Sequence, residues 1–82
     1  MPKPTSLSGA KNLIGPQLLA IRKERKISQR DLARMFQLAG YDIDRNVITR
    51  IETNQRYVTD IELHALHDLL NVSYDYLITG NI

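Results

Sequence analysis

The sequence predicts an all-α fold, a compact bundle of five short helices in one domain, on three observations. Helix N-cap residues follow one another at Ser28, Asp44, Thr59 and Ser73. Behind them, apolar residues recur at three- and four-residue spacing, the period of a helix with one buried face. No stretch alternates apolar and polar residues for long enough to make a strand.

The elements can be justified in chain order. Residues 1–13 are polar and rich in breakers (Pro2, Pro4, Ser6, Ser8, Gly9), so they read as a flexible arm carrying Lys3 and Lys11. The folded domain is expected over 14–82. Gly15-Pro16 starts the first helix, because proline at the first helical position loses no hydrogen bond. Leu18, Ile21 and Arg22 share one face, and the basic run Arg22 to Lys26 suits the negative end of the helix dipole. Ser28 with Asp31 forms a variant capping box for the second helix, which runs to about Ala39 and stops at Gly40. Asp44 caps the third, in which Ile48 and Ile51 point one way and Arg45, Asn46, Thr49 and Arg50 the other. Asn54 ends it, where a left-handed residue is tolerated. Thr59-Asp60-Ile61-Glu62 is a full capping box for a fourth helix carrying Ile61, Leu63, Leu66, Leu69 and Leu70, stopped at Asn71. A last short helix runs from Tyr74 to Thr79 between Ser73 and Gly80.

Composition removes several classes of function. The chain has no cysteine, hence no disulfide framework and no thiolate metal site, which suits a reducing, cytoplasmic setting. Its longest apolar stretches, such as Leu18 to Ile21, fall far short of the ~20 residues that span a bilayer. The first residues lack the apolar core of a secretion signal. His64 and His67 stand three apart, with Asp60 and Asp68 nearby, but no further His or Cys completes the three or four ligands zinc requires. No nucleophile–base set and no phosphate-binding glycine loop is present, so neither an enzyme nor a cofactor is expected.

Charge is segregated. All eleven lysines and arginines lie in residues 1–56 with five acids, a subtotal of +6. Residues 57–82 hold four acids and no base, a subtotal of −4. One face for a polyanion and another turned away from it would produce this pattern; so would an uneven solvated surface. The outward residues of the third helix favour the former. Arginine can bond guanine O6 and N7 bidentately, asparagine can do so with adenine N6 and N7, and threonine can meet a thymine methyl.

Further residues then fall into a known order. Ile14-Gly15, Leu18, Ile21-Arg22, Ile27-Ser28-Gln29, Leu32-Ala33, Ile48, Arg50-Ile51-Glu52, Leu63, Leu66, Leu70 and Val72-Ser73 resemble the phage-repressor/Cro-type (Xre) helix-turn-helix family. Tyr76 to Gly80 looks like that family's closing helix, so the resemblance covers residues 14–80. It implies a lambda-repressor-like DNA-binding fold with double-stranded DNA as partner. Arg45, Asn46, Thr49 and Arg50 would then contact base edges. Gln29 resembles the family's phosphate-gripping glutamine, and Arg30, Arg56 and the amide groups of Gln55 and Tyr57 would be further backbone contacts, or ordinary surface. Arg22 and Glu52 would form a buried ion pair between the first and third helices. Tyr74, Tyr76, Leu77 and Ile78 form an apolar patch that either completes the core or pairs two subunits. One departure stands out. Where the family has a single residue, usually Gly, between the positions filled by Phe36 and Ile43, six intervene here, Gln37 to Asp42. Smaller departures are Val58, where proline is frequent, and His67 at a small-residue position. The expected function is sequence-specific transcriptional regulation, as a homodimeric repressor occluding an operator. The rival is a protein-interaction module of the same fold, an antitoxin or a transcriptional adaptor, to which an apolar projection around Tyr41 would contribute.

Overall fold

The computed structural model describes residues 9–80. Five helices follow in order: α1 (Gly15–Glu24), α2 (Gln29–Leu38), α3 (Arg45–Glu52), α4 (Asp60–Leu70) and α5 (Tyr74–Thr79). The all-α expectation holds, with no strand among the described residues. Both capping boxes form. Ser28 Oγ accepts from the Asp31 amide at 2.9 Å, and Thr59 Oγ1 from the Glu62 amide at 3.1 Å. Asp44 and Ser73 cap α3 and α5 in the same way at 2.9 and 3.0 Å.

The helix stops share one geometry. Lys26, Gly40, Asn54 and Asn71 take positive φ of 57°, 93°, 61° and 54° just past the ends of α1 to α4. The amide of the next residue then reaches back to a carbonyl of the last turn: Ile27 to Arg22, Tyr41 to Phe36, Gln55 to Arg50 and Val72 to His67. This is the Schellman arrangement, which favours an apolar contact between the residue after the stop and the last turn. Tyr41 makes that contact. Its ring lies edge-on to Phe36, with centroids 6.1 Å apart and planes at 87°. The enlarged turn therefore does not project Tyr41. It folds the ring back onto the core and buries Ile43, while Leu38, 82% exposed, is the apolar residue left outside.

The core is formed by Leu18, Ile21, Leu32, Phe36, Ile48, Ile51, Leu66, Leu70 and Leu77, with Ile14, Ala33, Ile43 and Ala65 around them. α3 packs on α1 and α2, α4 packs on α2 and α5, and α5 returns to α1. Leu77 corrects the reading of the C-terminal patch. It is fully buried in its own domain and not available to a subunit interface. Tyr74 is half committed as well, stacked on His67 at 4.1 Å with its hydroxyl 2.6 Å from His64 Nδ1. Of the four, Tyr76 stays partly exposed, while Ile78 is exposed to the same degree as Tyr74 but makes no such ring contact.

The arm expected over 1–13 lies outside the described residues as far as residue 8. Its last part is tied to the domain. Asn12 donates to the Ile51 and Arg56 carbonyls at 3.1 and 2.8 Å and accepts the Gly15 amide at 2.9 Å, so it acts as a remote cap for α1. Asn54 Nδ2 donates back to Asn12 Oδ1 at 3.0 Å, and the Lys11 amide bonds the Asn54 carbonyl at 3.1 Å. This clasp brings the start of α1 against the end of α3. A Cβ on Gly15 would collide with the Ile51 carbonyl oxygen and lie 3.1 Å from that of Glu52. The two carbonyls are backbone and the Asn54 side-chain amide, 2.9 Å away, is held by Asn12, so Gly15→Ala is expected to lower stability by about 1–3 kcal/mol, as overpacking does. Urea denaturation checks this; an unchanged midpoint would contradict the close approach.

Candidate nucleic-acid interface

α3 has two faces with different duties. Ile48, Ile51 and Glu52 are buried, Val47 is half-buried, and Arg45, Asn46, Thr49 and Arg50 are exposed. An amphipathic helix held by three inward residues presents the other side as a fixed surface.

What holds it is partly polar. Arg22 Nε donates to Glu52 Oε2 at 2.7 Å and Arg22 Nη2 to Glu52 Oε1 at 3.1 Å, a bidentate pair. Its side chains are only 14% and 4% exposed. Arg22 Nη1 also donates to the Ile27 carbonyl at 3.1 Å. Gln29 Nε2 donates to Glu52 Oε1 at 2.9 Å, and Gln29 Oε1 lies 3.1 Å from Thr49 Oγ1. The expected ion pair thus exists, and it is larger than a pair: Arg22, Gln29, Glu52 and Thr49 join α1, α2 and α3. Gln29 is half-buried in this network, at the N-terminal end of α2. Thr49 is divided between the network, its own helix's Arg45 carbonyl at 3.1 Å, and solvent.

The arginines separate into two groups. Arg22 is taken by Glu52, Arg25 donates to the Leu70 carbonyl, and Arg56 Nη1 binds both Glu62 oxygens at 2.9 Å. Arg56 also donates to the Tyr57 carbonyl at 3.1 Å, so the structure gives this proposed backbone contact a structural task beside the α4 cap. By contrast, Arg30, Arg34, Arg45 and Arg50 form no ion pair or side-chain hydrogen bond among the described residues. All four lie on the exposed sides of α2 and α3. The Gln55 amide is consumed in closing α3, bonding the Arg50 carbonyl at 2.8 Å, which leaves only the Gln55 side chain for a ligand. Tyr57 is half-buried, with Lys11 Nζ 5.7 Å from its ring centre.

The structure therefore gathers Gln29, Arg30, Arg45 and Thr49 on one side of the molecule, while Arg56 is engaged elsewhere. Arg34 escaped the sequence reading, although it stands four residues after Arg30 and so shares its stripe of α2. His64 and His67 line the α4–α5 contact: His67 Nδ1 lies 2.6 Å from the Val72 carbonyl and His64 Nε2 lies 3.1 Å from Asp68.

Glu52→Ala would strand the Arg22 guanidinium in a largely buried position, and breaking such a pair costs about 3–5 kcal/mol. A marked fall in melting temperature is expected, with a smaller fall for Glu52→Gln, whose carbonyl still accepts from Arg22. A Glu52→Ala protein that melts with its parent would show that the network carries no stability.

Comparison with known proteins agrees with this geometry. No curated protein and no solved structure matches the chain significantly. A family described as Helix-turn-helix matches residues 18–77, from the first core leucine of α1 to the buried Leu77 of α5. Five helices without a strand among the described residues, α2 and α3 locked together and an exposed basic face belong with that match: the chain is a member of the Xre-type, lambda-repressor/Cro-like helix-turn-helix family of DNA-binding regulators.

Proposed function

We propose that this regulator is a repressor that acts as a homodimer, occluding an operator with α3 in the major groove. The observation that carries the reading is the division of arginines: those away from the α2–α3 face are satisfied within the domain, and those on it are left for a ligand. Arg45, Asn46, Thr49 and Arg50 are the base-edge readers in this proposal, with Gln29 and Arg30 on the phosphates. Asn46 is the cleanest reader, because it is exposed on the outward face and belongs to no internal network.

Support for pairing comes from apolar surface left exposed where residues 11–14 meet α4 and α5, with Lys11 at its rim. Ile78 and Leu13, 38% and 55% exposed, edge a shallow apolar groove with Tyr57, Val58 and Leu63. A two-fold pairing there would set two copies of α3 on successive major grooves, about 34–36 Å apart.

A second reading, the protein-interaction module, draws on Leu38 at the end of α2. Selection from a pool of random duplexes separates the two. A palindrome with half-sites about 10–10.5 base pairs apart supports the repressor; no enriched sequence supports the module. On the selected site, Asn46→Ala is expected to cost about 1–3 kcal/mol, to relax preference at one base pair, and to leave melting unchanged. Ile78→Asp is expected to sediment as a folded monomer and to lose more affinity for the full palindrome than for one half-site. An intact Ile78→Asp dimer would place the interface elsewhere.

A further inference from the structure

Three of the four unpaired arginines, Arg30, Arg34 and Arg45, border two adjoining hollows. The first, of about 600 Å³, is lined by Arg22, Ser28, Gln29, Arg30 and Arg45. The second, of about 330 Å³, is lined by Arg30, Ala33, Arg34, Gln37 and Arg45. Arg30 and Arg45 form their common wall, and no carboxylate lines either one. The first hollow contains Gln29 and Arg30 and belongs to the backbone contacts already proposed. The second is new.

We propose that the second hollow, centred on Arg34, holds an additional phosphate of the DNA backbone, next to the phosphate held at Gln29. The inference rests on the DNA-binding reading above and extends its footprint along α2. Arg30 and Arg34, two guanidinium groups without internal partners, flank the hollow, with the base reader Arg45 at its edge, and guanidinium forks match phosphate oxygens bidentately. Ala33 supplies a small floor, so a tetrahedral anion can approach the helix surface. Gln37 adds an amide at the rim. From Gln29 to Arg34 the helix advances five residues, about 7.5 Å. That is well short of the ~12 Å width of the major groove, so the two hollows suit neighbouring phosphates of one strand and not phosphates facing each other across the groove. Residues 39–44 return the chain so that Arg45, the first residue of α3, lies beside Arg34 and Gln37.

The test uses the full chain and a short duplex, with binding followed as salt is raised from about 50 to 200 mM. Six phosphates neutralised per dimer would give the parent a log–log slope of about −5.4. Arg34→Ala, an exposed change, is expected to melt like the parent and to reduce the slope to about −3.6, one phosphate per subunit. Arg34→Lys retains the charge and is expected to keep the parent's slope. A series of duplexes, each with one backbone phosphate replaced by a neutral methylphosphonate, reads the position. The parent is expected to lose affinity at two consecutive positions in each half-site, and Arg34→Ala to remain sensitive at only one of them. If the parent binds steeply and Arg34→Ala has the same slope and the same methylphosphonate pattern, the second phosphate site is refuted while the DNA reading stands. A flat salt response in the parent would overturn both.

Discussion

The carboxylate of Glu52 is the point on which three helices depend. It sits at the end of α3, takes two hydrogen bonds from Arg22 of α1 and a third from Gln29 of α2. A carboxylate with so little exposure would be costly if alone, and it is tolerated because its acceptor sites are filled. The apolar layer beneath it, Leu18, Leu32, Ile48 and Ile51, supplies most of the adhesion but is not directional. The charged network adds direction. It determines which side of α3 turns inward and hence which four residues face out. Orientation of the outward face of α3 and integrity of the core are thus coupled through one side chain.

The same residue types have opposite roles elsewhere in the chain. Arg56 and Glu62 form an ion pair, 33% and 13% exposed, in which Glu62 also closes the α4 capping box through the Thr59 amide at 3.0 Å. Arg25 satisfies a carbonyl at the end of α4. These contacts spend positive charge on joining elements and leave the charge of Arg30, Arg34, Arg45 and Arg50 unneutralised on one face. Net charge alone does not express this division.

Much of the fold was legible because its signals are local. A cap needs one oxygen and an amide three residues on, so Ser28, Asp44, Thr59 and Ser73 could be read directly from the chain. The candidate base readers were legible as the polar complement of Ile48 and Ile51. Asn12 was legible only in part: its Oδ1 takes the Gly15 amide three residues on, as a cap does, but its other partners are backbone groups 39 and 44 residues away, and an asparagine in a polar segment carries no mark of them. Leu77 was ambiguous for another reason. On a six-residue helix with tyrosine and isoleucine neighbours, apolar character does not say which side is inward until α5 is placed against α1. Tyr41 was misread although its signal was present: a residue following a glycine helix stop is the one that turns back toward the last turn.

The length of the α2–α3 turn is less consequential than its departure from the family suggests. Gln29 and Glu52, joined by a hydrogen bond, are 23 residues apart in the chain and enclose that turn between them. In polymer terms they close a loop, and the entropy of closure grows only with the logarithm of its length. Five additional residues in a loop of this size cost roughly 0.2 kcal/mol, less than one ordinary hydrogen bond contributes. Because the fastening is at the far end of both helices, the connection can lengthen or shorten at little thermodynamic cost while the clasp holds. Chain length in that turn is a nearly neutral variable, open to drift or to engineering, in a domain whose third helix is anchored somewhere else.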